Sequence, residues 1–342
     1  MSDASGFGIT VYGCERDEAA LFRDLSPSFG VVPTITSAAV SETAVISVPR
    51  NPCISVGHKS ELSGSMLRAL KDAGVEYVST RSIGFDHIDL DAADALGITV
   101  ENVVYAPDGV ADFTLMLILM AIRNVKHVVR AAERQDFRLG SARGKDLCDL
   151  TVGVVGVGNI GAAVIRRLHG FGCRVLADNN GRAASAAADF VPLDALLRES
   201  DVVTLHIPLN PETHHFIGRE QLDTMKHGAV LVNTGRGALV DTDALIGALE
   251  SGQLGSAALD VLEGEDGIFY FDRTTSPVDH PHLHRLQQLP NAIVTPHTAY
   301  YTERALRDTV EKTLINALSF ERNRTSEETQ DRDLVRGLLG RA

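Results

Sequence analysis

The segment Val152-Gly-Val-Val-Gly156-Val-Gly158-Asn-Ile-Gly161 constrains the fold of this chain more than any other. A short β-type apolar run leads into the pattern G-x-G-x-x-G, and a helix-type pattern follows at once over 160–168. In such a turn Gly156 permits the sharp reversal, Gly158 lets the backbone approach a pyrophosphate, and Gly161 lets helix and strand pack closely. The helix N-terminus then turns free N–H groups and a positive dipole end toward the phosphates. A glycine-rich turn alone also occurs for structural reasons. Here strand, helix and next strand stand at the spacing that a dinucleotide-binding unit requires.

The rest of the chain repeats the same alternation. Before the glycine turn, residues 9–12, 31–35, 54–56, 77–80 and 98–100 read as strands. Amphipathic stretches lie between them, such as 61–73 with Leu62, Met66, Leu67 and Leu70 at helical spacing. After the turn, strands are expected at 174–177, 202–206, 229–233, 256–261 and 292–295, which with 151–155 makes the six strands of a full dinucleotide fold. Alternating strands and helices imply parallel sheets covered on both faces. Residues 110–132 read as one long helix. Its first part is apolar nearly all round, so it belongs in a core, between domains or between subunits. A last helix is expected over about 302–322, followed by a partly mobile tail.

A chain of 342 residues has room for about two domains. The net charge of −13 argues against a nucleic acid or an anionic membrane surface as partner. It does not exclude a small anion, whose binding depends on local charge. Cys14, Cys53, Cys148 and Cys173 show no C-x-x-C spacing, so neither a disulfide framework nor a cysteine zinc site is expected. The first residues, Met1-Ser2-Asp3-Ala4-Ser5, lack the basic and apolar regions of a signal peptide. The apolar run at 113–122 ends at Arg123, well short of the ~20 residues that a membrane-spanning helix needs. The expectation is a cytoplasmic protein.

The strand after the glycine turn ends in Val175-Leu-Ala-Asp178-Asn179-Asn180-Gly181-Arg182. An acidic side chain here would bind the adenosine ribose and repel a 2′-phosphate. Successive strand residues face opposite ways, so either Asp178 or Asn179 takes that place. With Asn179 there, the carboxylate is missing and Arg182 can pair with a 2′-phosphate, unless it is simply a solvated loop residue. Arg236, Glu265 and His297 each follow a strand-like run, where an open parallel sheet presents its ligand crevice. An arginine fork binds a carboxylate and polarises the neighbouring keto group. A histidine delivers the proton that a carbonyl oxygen needs as hydride arrives, and a carboxylate holds that ring in place. Singly, each reads as a turn cation, a surface acid or a satisfied core histidine. Together they suit hydride transfer to a 2-keto acid.

The remaining histidines carry less. His280-Pro-His282-Leu-His284 reads as a solvated loop, His214-His215 as a surface turn, and no metal site is expected. His206 closes a strand and can line the cleft.

Over nearly its whole length the chain resembles the D-specific 2-hydroxyacid dehydrogenase family. The likeness rests on the glycine turn, Asn233-Thr-Gly-Arg236-Gly, Asp260 to Glu265, and Pro296-His297. Ile9-Thr-Val-Tyr-Gly-Cys14-Glu, Cys53-Ile-Ser-Val-Gly-His58-Lys-Ser-Glu, Thr80-Arg-Ser-Ile-Gly84, Pro296-His-Thr-Ala-Tyr-Tyr-Thr302 and Ala305-Leu-Arg-Asp-Thr-Val-Glu-Lys-Thr313 make it most similar to the VanH-type D-lactate dehydrogenases of vancomycin-resistance clusters. The resemblance implies an α/β fold in which a Rossmann dinucleotide-binding domain, 105–300, is inserted into a flavodoxin-like parallel-sheet substrate domain, 1–104 with 301–342. It casts His297 as acid/base, Glu265 as its partner and Arg236 as the carboxylate clamp. It gives Ser82, Ile83, Gly84, Tyr105 and Tyr300 to the substrate. To the cofactor it gives Gly156, Gly158, Asn159, Ile160, Gly161, Asp178, Asn179, Arg182, His206, Pro208, Thr234, Gly235 and Asp260. The family's ribose aspartate aligns best with Asn179, which admits NADP(H) as well as NAD(H). The resemblance further implies a homodimer through the 110–132 helix, and reduction of pyruvate to D-lactate for D-alanyl-D-lactate cell-wall precursors. Two alternatives stand beside it: a dehydrogenase for a larger 2-keto acid, and a dinucleotide-sensing corepressor or scaffold on the same fold.

Overall fold

In the computed structural model, residues 7–41, 51–139, 143–181 and 187–339 are described, 327–339 as backbone only. The chain divides into two compact units, 1–106 with 302–342, and 107–301.

The first unit is built on five parallel strands, β1 (Phe7–Val11), β2 (Val31–Ile35), β3 (Cys53–Val56), β4 (Tyr77–Thr80) and β5 (Thr99–Asn102), in the order β2-β1-β3-β4-β5. That order is the flavodoxin-like one. Alternation along the strands feeds two cores. Ile54 and Val78 pack with Leu67 and Leu70 of helix Gly64–Asp72 on one face. Cys53 and Tyr77 pack on the other with Phe22 of helix Arg16–Phe29 and Val310 and Leu314 of the final helix. That last helix runs from Glu303 to Leu339, well past the expected end near residue 322. The run at 323–333 is polar, and a polar run can still continue a helix already nucleated by a packed turn.

The second unit holds seven parallel strands. They are β6 (Thr151–Val155), β7 (Arg174–Asp178), β8 (Asp189–Phe190), β9 (Val202–Leu205), β10 (Ala229–Asn233), β11 (Leu254–Leu259) and β12 (Ala292–Val294), in the order β12-β11-β10-β9-β6-β7-β8. The six expected strands are all present. The two-residue β8 is additional, and is too short to leave a pattern in sequence. Strand order reverses between β6 and β9, so the crevice at their carboxyl ends is the topological switch point where such sheets take ligands.

Helix Asp108–Ile122 explains its own hydrophobicity inside this unit. Ala111, Leu115, Leu117 and Ile118 are buried against Val152, Val154, Val164 and Ile165 of β6 and helix Asn159–His169. The single helix expected over 110–132 is broken in two. Asn124 adopts a left-handed conformation (φ 51°), which asparagine tolerates better than most residues, and a second helix, Val125–Glu133, starts beyond it. Lys126 of that second helix donates to the backbone carbonyls of Leu289 (2.7 Å) and Gln287 (3.1 Å) at the end of helix Pro281–Gln288. The four cysteines are all free thiols.

Candidate active site

The glycine turn follows β6 directly. Gly156 has φ 89°, and a side chain there would meet the carbonyl oxygen of His206 at 2.5 Å. A Cβ on Gly161 would lie 2.0 Å from the carbonyl oxygen of Gly156, so helix and strand are as close as backbone allows. Gly158, at the N-cap of helix Asn159–His169, has nothing within 4 Å of where its Cβ would be. Its hydrogen is therefore not demanded by protein packing. Open space, a bare backbone and a helix N-terminus form a cradle that fits a pyrophosphate, as a dinucleotide cofactor requires.

The two candidates for the ribose position differ in what they do. Asp178 is the last residue of β7, and its backbone carbonyl accepts from Gly156 N at 2.8 Å. Asn179 lies one residue beyond, and its side-chain Oδ1 accepts from Val157 N at 2.9 Å, inside the glycine turn itself. It is thus Asn179 whose side chain is tied to the turn. Arg182 lies outside the described residues.

Past the other strands, three side chains are organised by backbone. After β10, Asn233 folds the turn back on itself: its Nδ2 donates to Arg236 O at 2.7 Å, and its Oδ1 accepts from Gly235 N at 3.0 Å. Thr234 is buried, its hydroxyl 3.0 Å from that of Thr114. Arg236 Nη1 donates to Gly235 O at 3.0 Å. After β11, Glu265 is fixed by Leu262 N, which donates to its Oε2 at 2.6 Å. Its other oxygen accepts from His297 Nδ1 at 2.5 Å. A carboxylate can only accept, so Nδ1 carries the hydrogen of this bond. His297 is itself only 8% exposed and stands at φ 55°, a strained conformation for a residue with a side chain.

Asp260 supplies the restraint on that conformation. Its fully buried carboxylate accepts from Thr295 Oγ1 (2.5 Å), Thr298 N (3.0 Å) and Ala299 N (2.8 Å), while its backbone oxygen accepts from His297 N at 2.7 Å. Burial lifts the Asp260 carboxyl above its ordinary value, and these donors pull it the other way. Tyr270 adds a further hold, donating its hydroxyl to His297 O at 3.0 Å. Burial and the negative charges of Glu265 and Asp260 keep that phenol protonated, with Arg236 opposing them. The rings of Tyr270 and Tyr300 stand 5.6 Å and 6.3 Å from that of His297. Sequence reasoning missed Tyr270, because Ile268-Phe-Tyr-Phe271 carries no motif and its value depends on a contact 27 residues away.

His206 follows β9 at the switch point, with Nε2 hydrogen-bonded to Thr204 Oγ1 at 3.0 Å. Pro208 is two residues on, and its carbonyl accepts from Thr213 Oγ1 at 2.7 Å. In the other unit, the turn expected at Ser82-Ile83-Gly84 is present. Ser82 Oγ donates to Gly84 O (2.5 Å), and Asn102 Nδ2 donates to Ile83 O (2.6 Å). Behind it, buried Arg81 pairs with Glu18 at 2.7 Å and donates to Tyr12 O at 2.7 Å. Tyr105 lies in this same unit, past β5.

Residues 115–299 match the family model described as the D-isomer specific 2-hydroxyacid dehydrogenase, NAD binding domain. A D-specific alpha-keto acid dehydrogenase of Enterococcus faecium is 62% identical over 323 residues, spanning 94% of this chain and 100% of that protein. The chain belongs to the D-isomer specific 2-hydroxyacid dehydrogenase family. It is an NAD-dependent oxidoreductase. Among solved structures, the pyruvate reductase of Chlamydomonas reinhardtii superposes with a TM-score of 0.84 at 30% identity, covering 93% of this chain and 97% of that one. A D-lactate dehydrogenase from Aquifex aeolicus, complexed with NAD and lactic acid, does so with a TM-score of 0.81 at 30% identity, covering 92% and 96%. As a small 2-hydroxy or 2-keto acid is the family's substrate, the anionic ligands must be collected by local groups against a chain charge of −13.

One titration in this region is testable without substrate. Loss of water around the His206 ring lowers its pKa from 6.5 to about 4. Between those values the unfolded chain binds more protons than the folded one, so stability falls as the pH drops through that window. In His206→Gln the fall in Tm between pH 6.5 and pH 4 should be smaller than in the wild type. Thermal melts at both pH values check it, and an equal fall would remove His206 as its source.

Proposed function

We propose that this enzyme reduces pyruvate to D-lactate, and that the D-lactate supplies D-alanyl-D-lactate cell-wall precursors in vancomycin resistance. The observation that carries the chemistry is the His297–Glu265 pair at 2.5 Å, which fixes a protonated Nδ1, so the role of acid falls to Nε2. In this reading Arg236 clamps the substrate carboxylate and polarises the keto group. The turn Ser82-Ile83-Gly84 contributes backbone N–H groups to the substrate, and Tyr105 and Tyr300 bound its small 2-substituent. His297 donates its proton to the carbonyl oxygen as that oxygen gains charge, and Glu265 stabilises the cationic ring before transfer. The bound nicotinamide supplies the hydride. Gly156, Gly158, Asn159, Ile160 and Gly161 hold its pyrophosphate, while Asp178, Asn179, His206, Pro208, Thr234, Gly235 and Asp260 complete the cofactor side. Arg182 is assigned to a 2′-phosphate.

A larger 2-keto acid is the second reading, favoured by the relative from Enterococcus faecium, whose name specifies an alpha-keto acid without restricting its size. Comparing kcat/KM for pyruvate with that for bulkier 2-keto acids separates the two. We further infer a cytoplasmic homodimer that uses the 110–132 region, where Met116, Val128 and Val129 are exposed apolar side chains.

Two results follow for the variants. His297→Ala should lower kcat by ~10²–10⁴, the range of a lost general acid, while Arg236→Ala should raise KM for pyruvate as well as slow turnover. Steady-state kinetics with pyruvate check both, and a normal KM in Arg236→Ala would contradict the clamp. The asparagine at the ribose position predicts use of NADPH. Replacing Asn179 with Asp should shift the ratio of kcat/KM toward NADH, and an unchanged ratio would refute that role.

A further inference from the structure

Outside the catalytic cluster, one group of side chains has ligand chemistry that the dehydrogenase reaction leaves unused. His214 and His215, from the turn after β9, meet Glu263, from the segment after β11, and their ligand atoms all lie within 4.8 Å of one another. We propose that His214, His215 and Glu263 bind a divalent transition-metal ion of the zinc class, with water completing the coordination. The donor set is two imidazoles and a carboxylate, which suits Zn²⁺, Co²⁺ or Ni²⁺ and disfavours the oxygen-seeking Mg²⁺ and Ca²⁺.

Geometry supports this. His215 Nε2 lies 2.7 Å from Glu263 Oε1, and His214 Nε2 lies 4.0 Å from the same oxygen. Donors around a tetrahedral ion with bonds of about 2.0–2.1 Å stand about 3.3 Å apart, between the two observed separations. Rotation of the two rings, which widens the shorter separation and closes the longer ones, then completes the set. Metal entry replaces the proton that His215 Nε2 shares with Glu263, so binding releases a proton and weakens as the pH falls.

The ligands are presented by backbone that is already pinned. Asn210 Oδ1 accepts from Glu212 N and Thr213 N at 2.9 and 3.0 Å, and His215 N donates to Ala238 O at 2.8 Å. These bonds hold His215 at φ 51°, which puts two successive imidazoles on one side of the turn with ring centroids 4.1 Å apart. On the opposite side, Thr242 Oγ1 donates to Glu263 Oε2 at 3.1 Å, and His280 Nε2 donates to Glu263 O at 2.9 Å. The carboxylate is thus oriented by the kind of outer hydrogen bond that metal-binding carboxylates use. The ion would fasten the 210–217 loop to the segment that leads into Glu265.

Sequence reading gave His214-His215 to a surface turn, and the turn is present. Glu263 was out of view because it lies 48 residues further along the chain.

The test uses the untagged full-length chain, equilibrium dialysis against Zn²⁺, and metal analysis of the protein. The wild type should bind one Zn²⁺ per chain and gain Tm on adding it, as any ligand of the folded state confers. His214→Ala and Glu263→Gln should each weaken binding at least about tenfold, since even outer partners of a metal cost that much. His282→Ala and His284→Ala, in the neighbouring histidine group, should bind as the wild type does. His214 is exposed, so its replacement leaves the fold intact, and Glu263→Gln keeps an acceptor for Thr242. Absence of stoichiometric Zn²⁺ in the wild type would overturn the site. So would unchanged affinity in both His214→Ala and Glu263→Gln, or an equal loss in His282→Ala.

Discussion

The buried carboxylate of Asp260 is the constraint on which the rest of the site depends. Removing a carboxylate from water costs several kcal/mol unless donors replace the lost hydration. Here the donors are Thr295 Oγ1 and the backbone N–H groups of Thr298 and Ala299, so satisfying Asp260 fixes the whole loop after β12. His297 lies inside that loop. Its left-handed backbone carries a conformational cost of about 1–3 kcal/mol, which the surrounding bonds outweigh. The result is an imidazole whose Nδ1 meets Glu265 with no further search, and a ring held in one orientation.

A second constraint comes from the parallel sheet. Because all seven strands of the cofactor unit run the same way, every strand delivers its carboxyl end to one edge. The glycine turn after β6, His206 after β9, Arg236 after β10 and His297 after β12 therefore arise from one rule of topology. Separate placements are unnecessary. The reversal of strand order between β6 and β9 opens that edge beside the glycine turn. Gly156 and Gly161 are consumed by contacts of backbone with backbone, whereas Gly158 faces open space. The three glycines thus divide as their positions in the pattern predict, two spent on packing and one facing open space.

Much of this was legible in the sequence, and the exceptions share a cause. β4, β6 and β10 fall on their expected residues, because buried parallel strands are short runs rich in apolar residues and bounded by turn signals. Arg236, Glu265 and His297 could be singled out because each follows such a run. The break at Asn124 was not, since a left-handed asparagine leaves no interruption in an apolar pattern. His280-Pro-His-Leu-His284 was read as a loop and is in fact the start of helix Pro281–Gln288, with proline at its first turn and His280 Nδ1 accepting from Leu283 N. Tyr270 and Glu263 escaped for another reason: both act through contacts distant in sequence, and a single chain carries no sign of them.

The central claim is that this arrangement transfers a hydride to one face of a 2-keto acid and a proton to its oxygen, giving the D-product. The most direct measurement is the handedness of the lactate formed when the wild-type enzyme reduces pyruvate with NADH. The account predicts D-lactate alone. L-lactate, a racemic product, or no oxidation of either NADH or NADPH with any 2-keto acid would contradict it.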